Sequence, residues 1–180
     1  MLEVNAQVTG NFIDERDGKK YSTITIGNQI WMSENLAFKT AKGSWSYNND
    51  EMNTPIYGYL YNWKTACTSC PSGWRLPSKE DYEIMILSLN IPDSLSYKNL
   101  IEGGNSGFNA KFSGWYAGRK FGQLNEHTDF WTATSDESTL KGVYRFSLYK
   151  KENLVYMNVD FPNYGFSVRC IKLRRFTNEP

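Results

Sequence analysis

The sequence is poor in histidine, cysteine and proline, and it has no long apolar run. One histidine, His127, stands in 180 residues. That excludes multi-histidine metal centres and the helical His-Glu-x-x-His pattern. No Gly-x-Ser-x-Gly elbow, phosphate-binding loop or dinucleotide fingerprint occurs. No stretch reaches the ~18 apolar residues of a membrane-spanning helix. The formal net charge is +1, and no basic run is interleaved with aromatics. Neither nucleic acid nor an anionic membrane is therefore expected as a partner. Met1–Gln7 lacks the apolar core of a secretory leader.

What the chain has in quantity is aromatic rings: 12 Tyr, 10 Phe and 6 Trp. Each buries ~150–250 Å², so a single domain of this length can build a large core and still leave rings outside. The stretch Cys70-Pro71-Ser72-Gly73-Trp74-Arg75-Leu76-Pro77-Ser78 supplies a turn, a Trp of the buried kind and a helix cap. Glu80 and Asp81 put acid into the first helical turn. Tyr82, Met85, Ile86 and Leu89 then recur as one apolar stripe. Asn90 and Pro92 end it, so the main helix is predicted over about Ser78–Asn90.

Elsewhere the patterns are short. Lys20–Ile26 and Gln29–Met32 read as a hairpin turned at Gly27-Asn28, with Arg16–Lys19 as a preceding turn. Trp31 is expected in the core. Asn62–Thr68 and Ser94–Ile101 are predicted as short helices. From Phe108 onward the chain reads as strand: Phe108–Phe112, Asp129–Thr134, Val143–Tyr149, Leu154–Val159 and a closing Phe166–Ile171. In that last strand Phe166, Val168 and Cys170 share one face.

The three cysteines leave several arrangements open. Cys67-Thr68-Ser69-Cys70 has the spacing of a zinc or redox pair. Zinc would need Cys170 and His127 to converge on it. A thioredoxin-like pair would follow a βαβ pattern, which is absent. A disulfide and three buried thiols are the other readings.

Many of these pieces occur together in one known family. They are Asp14–Tyr21, Ile26–Leu36, Tyr57–Trp63, the Cys70 stretch, Gly107–Ala110, Phe130–Thr134 and Gly165–Cys170. On their order and spacing the chain resembles the Fibrobacter succinogenes major paralogous domain family, over roughly residues 10–173. Tyr82 stands where that family usually has Trp. The resemblance implies an α+β, C-type-lectin-like fold of small, mostly antiparallel sheets, one main helix and long loops. It implies one domain over 10–173, with a tail or edge extension at 1–9 and a tail at 174–180. It also implies a cell-surface or secreted protein whose leader is removed and whose full-length form can carry a lipid anchor.

Within this frame a Cys70–Cys170 disulfide with Cys67 free is the preferred arrangement; Cys67 pairing with Cys70 stays open. No activity is established for the family in general. It shares a Trp-Arg-Leu-Pro-Ser-like helix start and a Gly-Phe-Ser-Val-Arg-like end with formylglycine-generating enzymes. Those enzymes hold copper with two cysteines in the catalytic half, where this chain has only Cys170. The function expected is therefore non-catalytic: a binding or adhesion domain for a glycan or protein ligand. An assembly module of a surface lipoprotein or secretion-linked complex is the alternative, and an enzyme the least favoured.

Ligand-binding candidates lie between the shared pieces: Trp115, Tyr116, His127, Tyr144, Tyr156, Asn158, Asn163 and Tyr164. Aromatics stack on sugars or fill hot spots, and Asn gives adaptable hydrogen bonds. Standing in Asn125-Glu126-His127-Thr128, His127 reads most simply as a loop residue. Asn48-Asn49-Asp50-Glu51 has oxygen ligands for calcium, but neither EF-hand spacing nor the motifs of calcium-dependent lectins. No cofactor is expected.

Overall fold

The computed structural model describes residues 8–138 and 141–174. Of the two expected tails, residues 1–7 and 175–180 lie outside the described residues. The chain opens with three antiparallel strands, β1 (Thr9–Ile13), β2 (Lys20–Ile26) and β3 (Gln29–Met32). Next come β4 (Ser44–Trp45), two 3-10 turns, α1 (Thr54–Tyr57) and β5 (Leu60–Tyr61). The helical section holds α2 (Trp63–Ser69), α3 (Lys79–Ser88) and α4 (Asp93–Leu100). Five strands follow: β6 (Ser113–Ala117), β7 (Lys120–Leu124), β8 (His127–Asp136), β9 (Gly142–Tyr149) and β10 (Leu154–Asp160). The last strand is β11 (Ile171–Leu173).

The fold is mixed α+β and mostly strand. One sheet runs β1-β2-β3-β11, a second β10-β9-β8-β6-β7, and β4 pairs with β5. Strand pairs are antiparallel except where Gly114 of β6 meets Thr128 of β8, and the isolated bridges Ile101–Ala110 and Phe130–Ser167 are also parallel. The first and last described strands thus share a sheet.

The main helix forms where its sequence predicts. The Ser78 hydroxyl accepts from the Asp81 N–H at 3.2 Å, and the Asp81 carboxylate accepts from the Ser78 N–H at 2.6 Å. This reciprocal cap satisfies donors that a helix start leaves open. Arg75 grips the same carboxylate at 2.5 and 2.9 Å. Tyr82 and Met85 are buried, while Ile86 and Leu89 pack partly against the core. Trp74, by contrast, is only half-buried, stacked on Phe12 with Lys172 over its ring.

The sheet around β8 and β9 lies between two apolar clusters. Phe130, Phe146 and Leu148 face α3 and α4, with Trp31, Tyr82 and Met85. Trp131 and Val143 face the other way, toward Tyr61, Phe166 and Val168. Alternation along the strands produces this division. The disulfide joins Cys70 to Cys170, with Cα atoms 5.8 Å apart across 100 residues of chain; Cys67 is free and exposed.

Two expected strands are corrected. Phe108–Phe112 is not a strand: Asn109 takes a left-handed φ of 52°, which breaks the extended run. Phe166–Ile171 does not close the C-terminal sheet. Only Ile171–Leu173 is a strand, and it pairs with β3 in the N-terminal sheet. Phe166 and Ser167 make single bridges to Tyr61 and Phe130 instead. The segment divides its hydrogen bonds among three elements and stitches the sheets together.

Arg169 occupies the centre of that seam and is fully buried. It donates to Asn35 Oδ1 at 2.9 Å, to the Asn109 carbonyl at 2.8 Å and to the Phe108 carbonyl. Its guanidinium also lies 4.5 Å from the Phe108 ring centroid.

Candidate functional site

One end of the β8–β9–β10 face that carries Trp131 and Val143 is polar. Register sets this up: Asp129 lies opposite Ser147, and Arg145 lies opposite Asn158. Directly paired residues project to the same side. Arg145 therefore meets Asp129 from β8 and Asp160 from β10, the latter at 3.0 Å through Nε. Ser147 Oγ donates to Asp129 Oδ1 at 2.6 Å. Arg145 Nη1 reaches the same carboxylate and Ser147. Burial works against the charge on Arg145, but Asp129 and Asp160 outweigh it and raise its pKa.

His127 continues this face at the start of β8. The expected loop position is wrong: the side chain is only 2% exposed. Its ring stacks on Tyr149 at 3.7 Å, and Tyr149 stacks on Tyr156 at 5.5 Å. Nδ1 lies 3.0 Å from Gln123 Oε1, which also accepts from the Trp115 indole N–H at 2.9 Å. Nε2 sits 3.1 Å from Asp129 Oδ1 but is not directed into a hydrogen bond. His127 Nε2 and Asp129 Oδ2 are both buried and find no partner among the described residues.

His127, Asp129, Arg145 and Asp160 line a 250 Å³ pocket with Trp115, Tyr149, Tyr164 and Phe166 as aromatic walls. Trp115 lies flat over Gly122, where an added Cβ would stand 2.4 Å from the indole. Gly114, at φ 65°, lets the backbone of β6 approach β7, where a Cβ would meet the Gly122 carbonyl at 2.3 Å. The pocket is small against the ~300–1,000 Å³ usual for ligand sites.

The eight candidates divide. Trp115, His127 and Tyr164 line this pocket. Tyr156 stands beside it through Tyr149, its pKa raised by burial and by the Tyr149 hydroxyl. Asn158 is exposed opposite Arg145, with Oδ1 accepting from the Val159 N–H. Asn163 is exposed in the loop after β10 and does not line the pocket. Tyr144 projects to the other face, under Lys79 at 4.9 Å. Tyr116 packs between Trp45 and Phe121 and serves the fold.

Sequence reasoning missed Asp129, Arg145, Asp160 and Gln123. A signal existed: Arg145 and Ser147 fall at alternate positions of a strongly apolar strand. Such positions read as solvent-facing until the neighbouring strands are placed.

A second pocket, of 490 Å³, lies between α3, α4 and β10. Phe146, Ile86, Val155 and Met157 line it, and the buried hydroxyls of Tyr82 and Ser96 have no partner among the described residues. Among the described residues no cluster of three or more His, Cys, Asp or Glu could hold a metal ion. The Asn48–Glu51 loop is engaged elsewhere: Glu51 pairs with Lys39 at 2.6 Å and accepts from the Tyr59 hydroxyl at 2.5 Å. No described helix is long and apolar enough to cross a membrane.

No curated protein and no solved structure matches the chain. The model of one family, the Fibrobacter succinogenes major domain, matches residues 24–172, from the middle of β2 into β11. The chain belongs to that family.

Proposed function

We propose that this chain is a non-catalytic binding domain of C-type-lectin-like architecture, acting at the cell surface or after secretion. Its ligand, a glycan or the glycan-bearing surface of a protein, enters the polar pocket on β8, β9 and β10. The observation that carries this reading is the pair of buried, unpartnered atoms, His127 Nε2 and Asp129 Oδ2, on side chains that line an aromatic-walled pocket. Buried polar groups are normally hydrogen-bonded, and those that are not mark places where something else supplies the bond. Aromatic walls with a few fixed polar groups are the usual make-up of a recognition site. The sharing of one sheet by β1 and β11 and the disulfide that closes the intervening chain suit the lectin-like arrangement.

A glycan array probed with the purified chain, with and without a chelator, tests the reading. Saturable binding that Asp160→Ala weakens supports it. A blank array with folded protein removes the glycan. A difference made by chelator would bring calcium into the site.

A specific observation favours assembly as the second reading. Leu87, Leu95 and Ile84 expose apolar surface on α3 and α4, Leu87 to 77%. Leu87 also lines the apolar pocket. Exposed apolar surface beside a cleft suits a fixed protein partner. Recovery of one stoichiometric partner that Leu87→Asp abolishes, while glycan binding is absent, would decide for it.

A further inference from the structure

We infer that the group recognised in the polar pocket is a protonated primary amine, carried on an amino sugar. This rests on the binding reading above and specifies the chemistry of the ligand.

The tautomer of His127 comes first. An indole N–H can only donate. The Gln123 atom that meets Trp115 Nε1 at 2.9 Å is therefore the amide oxygen. That same oxygen faces His127 Nδ1 at 3.0 Å, so Nδ1 carries the ring hydrogen. In the neutral ring Nε2 is then a bare lone pair. It faces Asp129 Oδ1 at 3.1 Å, another acceptor. A proton on Nε2 would settle that one contact. It would leave Asp129 Oδ2 unmet, because Arg145 and Ser147 both turn to Oδ1.

The side chains that line the pocket thus hold acceptors that lack donors. Charge points the same way. Asp129 and Asp160 are two carboxylates around the single guanidinium of Arg145, so the cluster is net negative when His127 is neutral. An ammonium group has three N–H donors and a positive charge. A hydroxyl has one donor and no charge. The rings of Trp115 and Tyr164 add π faces, which attract a cation. The small pocket with an indole on one wall fits a pyranose ring lying against Trp115. A lysine side chain could deliver the amine but would leave that wall empty.

The sole histidine makes the test direct. The whole chain would be titrated at pH 7 with glucosamine, glucose, N-acetylglucosamine and Nα-acetyl-lysine methyl ester. Its one set of imidazole signals would be followed by NMR. Glucosamine is expected to move the His127 signals saturably. Glucose and N-acetylglucosamine, which lack the charged amine, should bind at least about tenfold more weakly. His127→Phe keeps a ring against Tyr149 and deletes the acceptor. It should weaken glucosamine binding by about tenfold in calorimetry, with an unchanged circular dichroism spectrum.

Glucose or N-acetylglucosamine binding as tightly as glucosamine would overturn the amine and leave the glycan reading standing. The lysine ester binding as tightly as glucosamine would overturn the sugar. No response to any of the four at millimolar concentration would overturn the inference, while hits on the glycan array would still keep the broader reading. A blank array as well would sink both.

Discussion

Arg169 and Arg145 are both buried and both belong to the last part of the chain, yet they are held in opposite ways. Among the described residues Arg169 forms no ion pair with a carboxylate. Its donors go to Asn35 and to backbone carbonyls, and two phenylalanine rings cover its faces. Burial pulls its pKa down to about 9. Arg145 has two carboxylates, and they raise its pKa against the effect of burial. The first arrangement is closed: carbonyls and donors satisfy one another, and no described pocket touches it. The second is open, since it leaves an oxygen of Asp129 and a nitrogen of His127 without partners. A buried charge enclosed by backbone serves the fold; one enclosed by side chains, with atoms to spare, can serve a ligand.

Replacing Arg169 should give the largest effect. Arg169→Met leaves the carbonyls of Phe108 and Asn109 without these donors and unties the seam between the sheets. A loss of about 3–5 kcal/mol is expected in urea denaturation. Arg169→Lys should rescue little, because one ammonium cannot span these acceptors. A cost under about 1 kcal/mol would mean that Arg169 does not hold the seam. Next comes the disulfide, one residue further along the same segment. Cys70→Ser with Cys170→Ser should cost about 2–4 kcal/mol, mostly through a freer unfolded chain. Without reductant, thiol titration of the wild type should find Cys67 alone.

The closed region was far more legible in sequence than the open one. Ser78, Asp81, Tyr82 and Met85 announce α3 because capping and helical periodicity are local signals. The β2–β3 and β9–β10 hairpins are local too. Cys70 and Cys170 stand in two of the stretches that carry the family resemblance. Asp129, Arg145 and Asp160 carry no such mark. Each is one polar residue among others in its strand, and only register brings the three together. Register depends on pairing partners distant in sequence. The same limit explains Tyr144 and Tyr116: both look like ligand platforms until the strands show which side they face. Alternation sets Arg169 on the face opposite Cys170, but nothing local says that backbone carbonyls would enclose it.

Arg145→Met tests the open arrangement and should cost less than Arg169→Met. It strands Asp129 and Asp160, but both line a pocket that water can enter. A loss of about 1–3 kcal/mol is expected, together with loss of ligand binding. A cost equal to that of Arg169→Met would mean that Arg145 also belongs to the closed core.

The smallest expected effect sharpens the comparison with a third arginine. Arg75 is half-exposed and grips Asp81 at the start of α3. Burial tends to raise the Asp81 pKa, but Arg75 and the Ser78 N–H outweigh it, so the net shift is downward. Asp81→Asn weakens both the cap and the ion pair, and solvent screens the pair. About 0.5–1.5 kcal/mol of stability should go at neutral pH. The sign of the pH dependence follows from linkage. With the folded value below the unfolded ~3.9, the unfolded state binds the proton first as pH falls. The stabilisation is complete above that unfolded value and disappears as pH drops through the folded one. Wild type and Asp81→Asn should therefore differ at neutral pH and converge in strong acid. Parallel pH profiles would show that Asp81 acts only through helix capping geometry. The screened pair would then contribute nothing, and only burial, as at Arg145 and Arg169, would make an arginine matter in this fold.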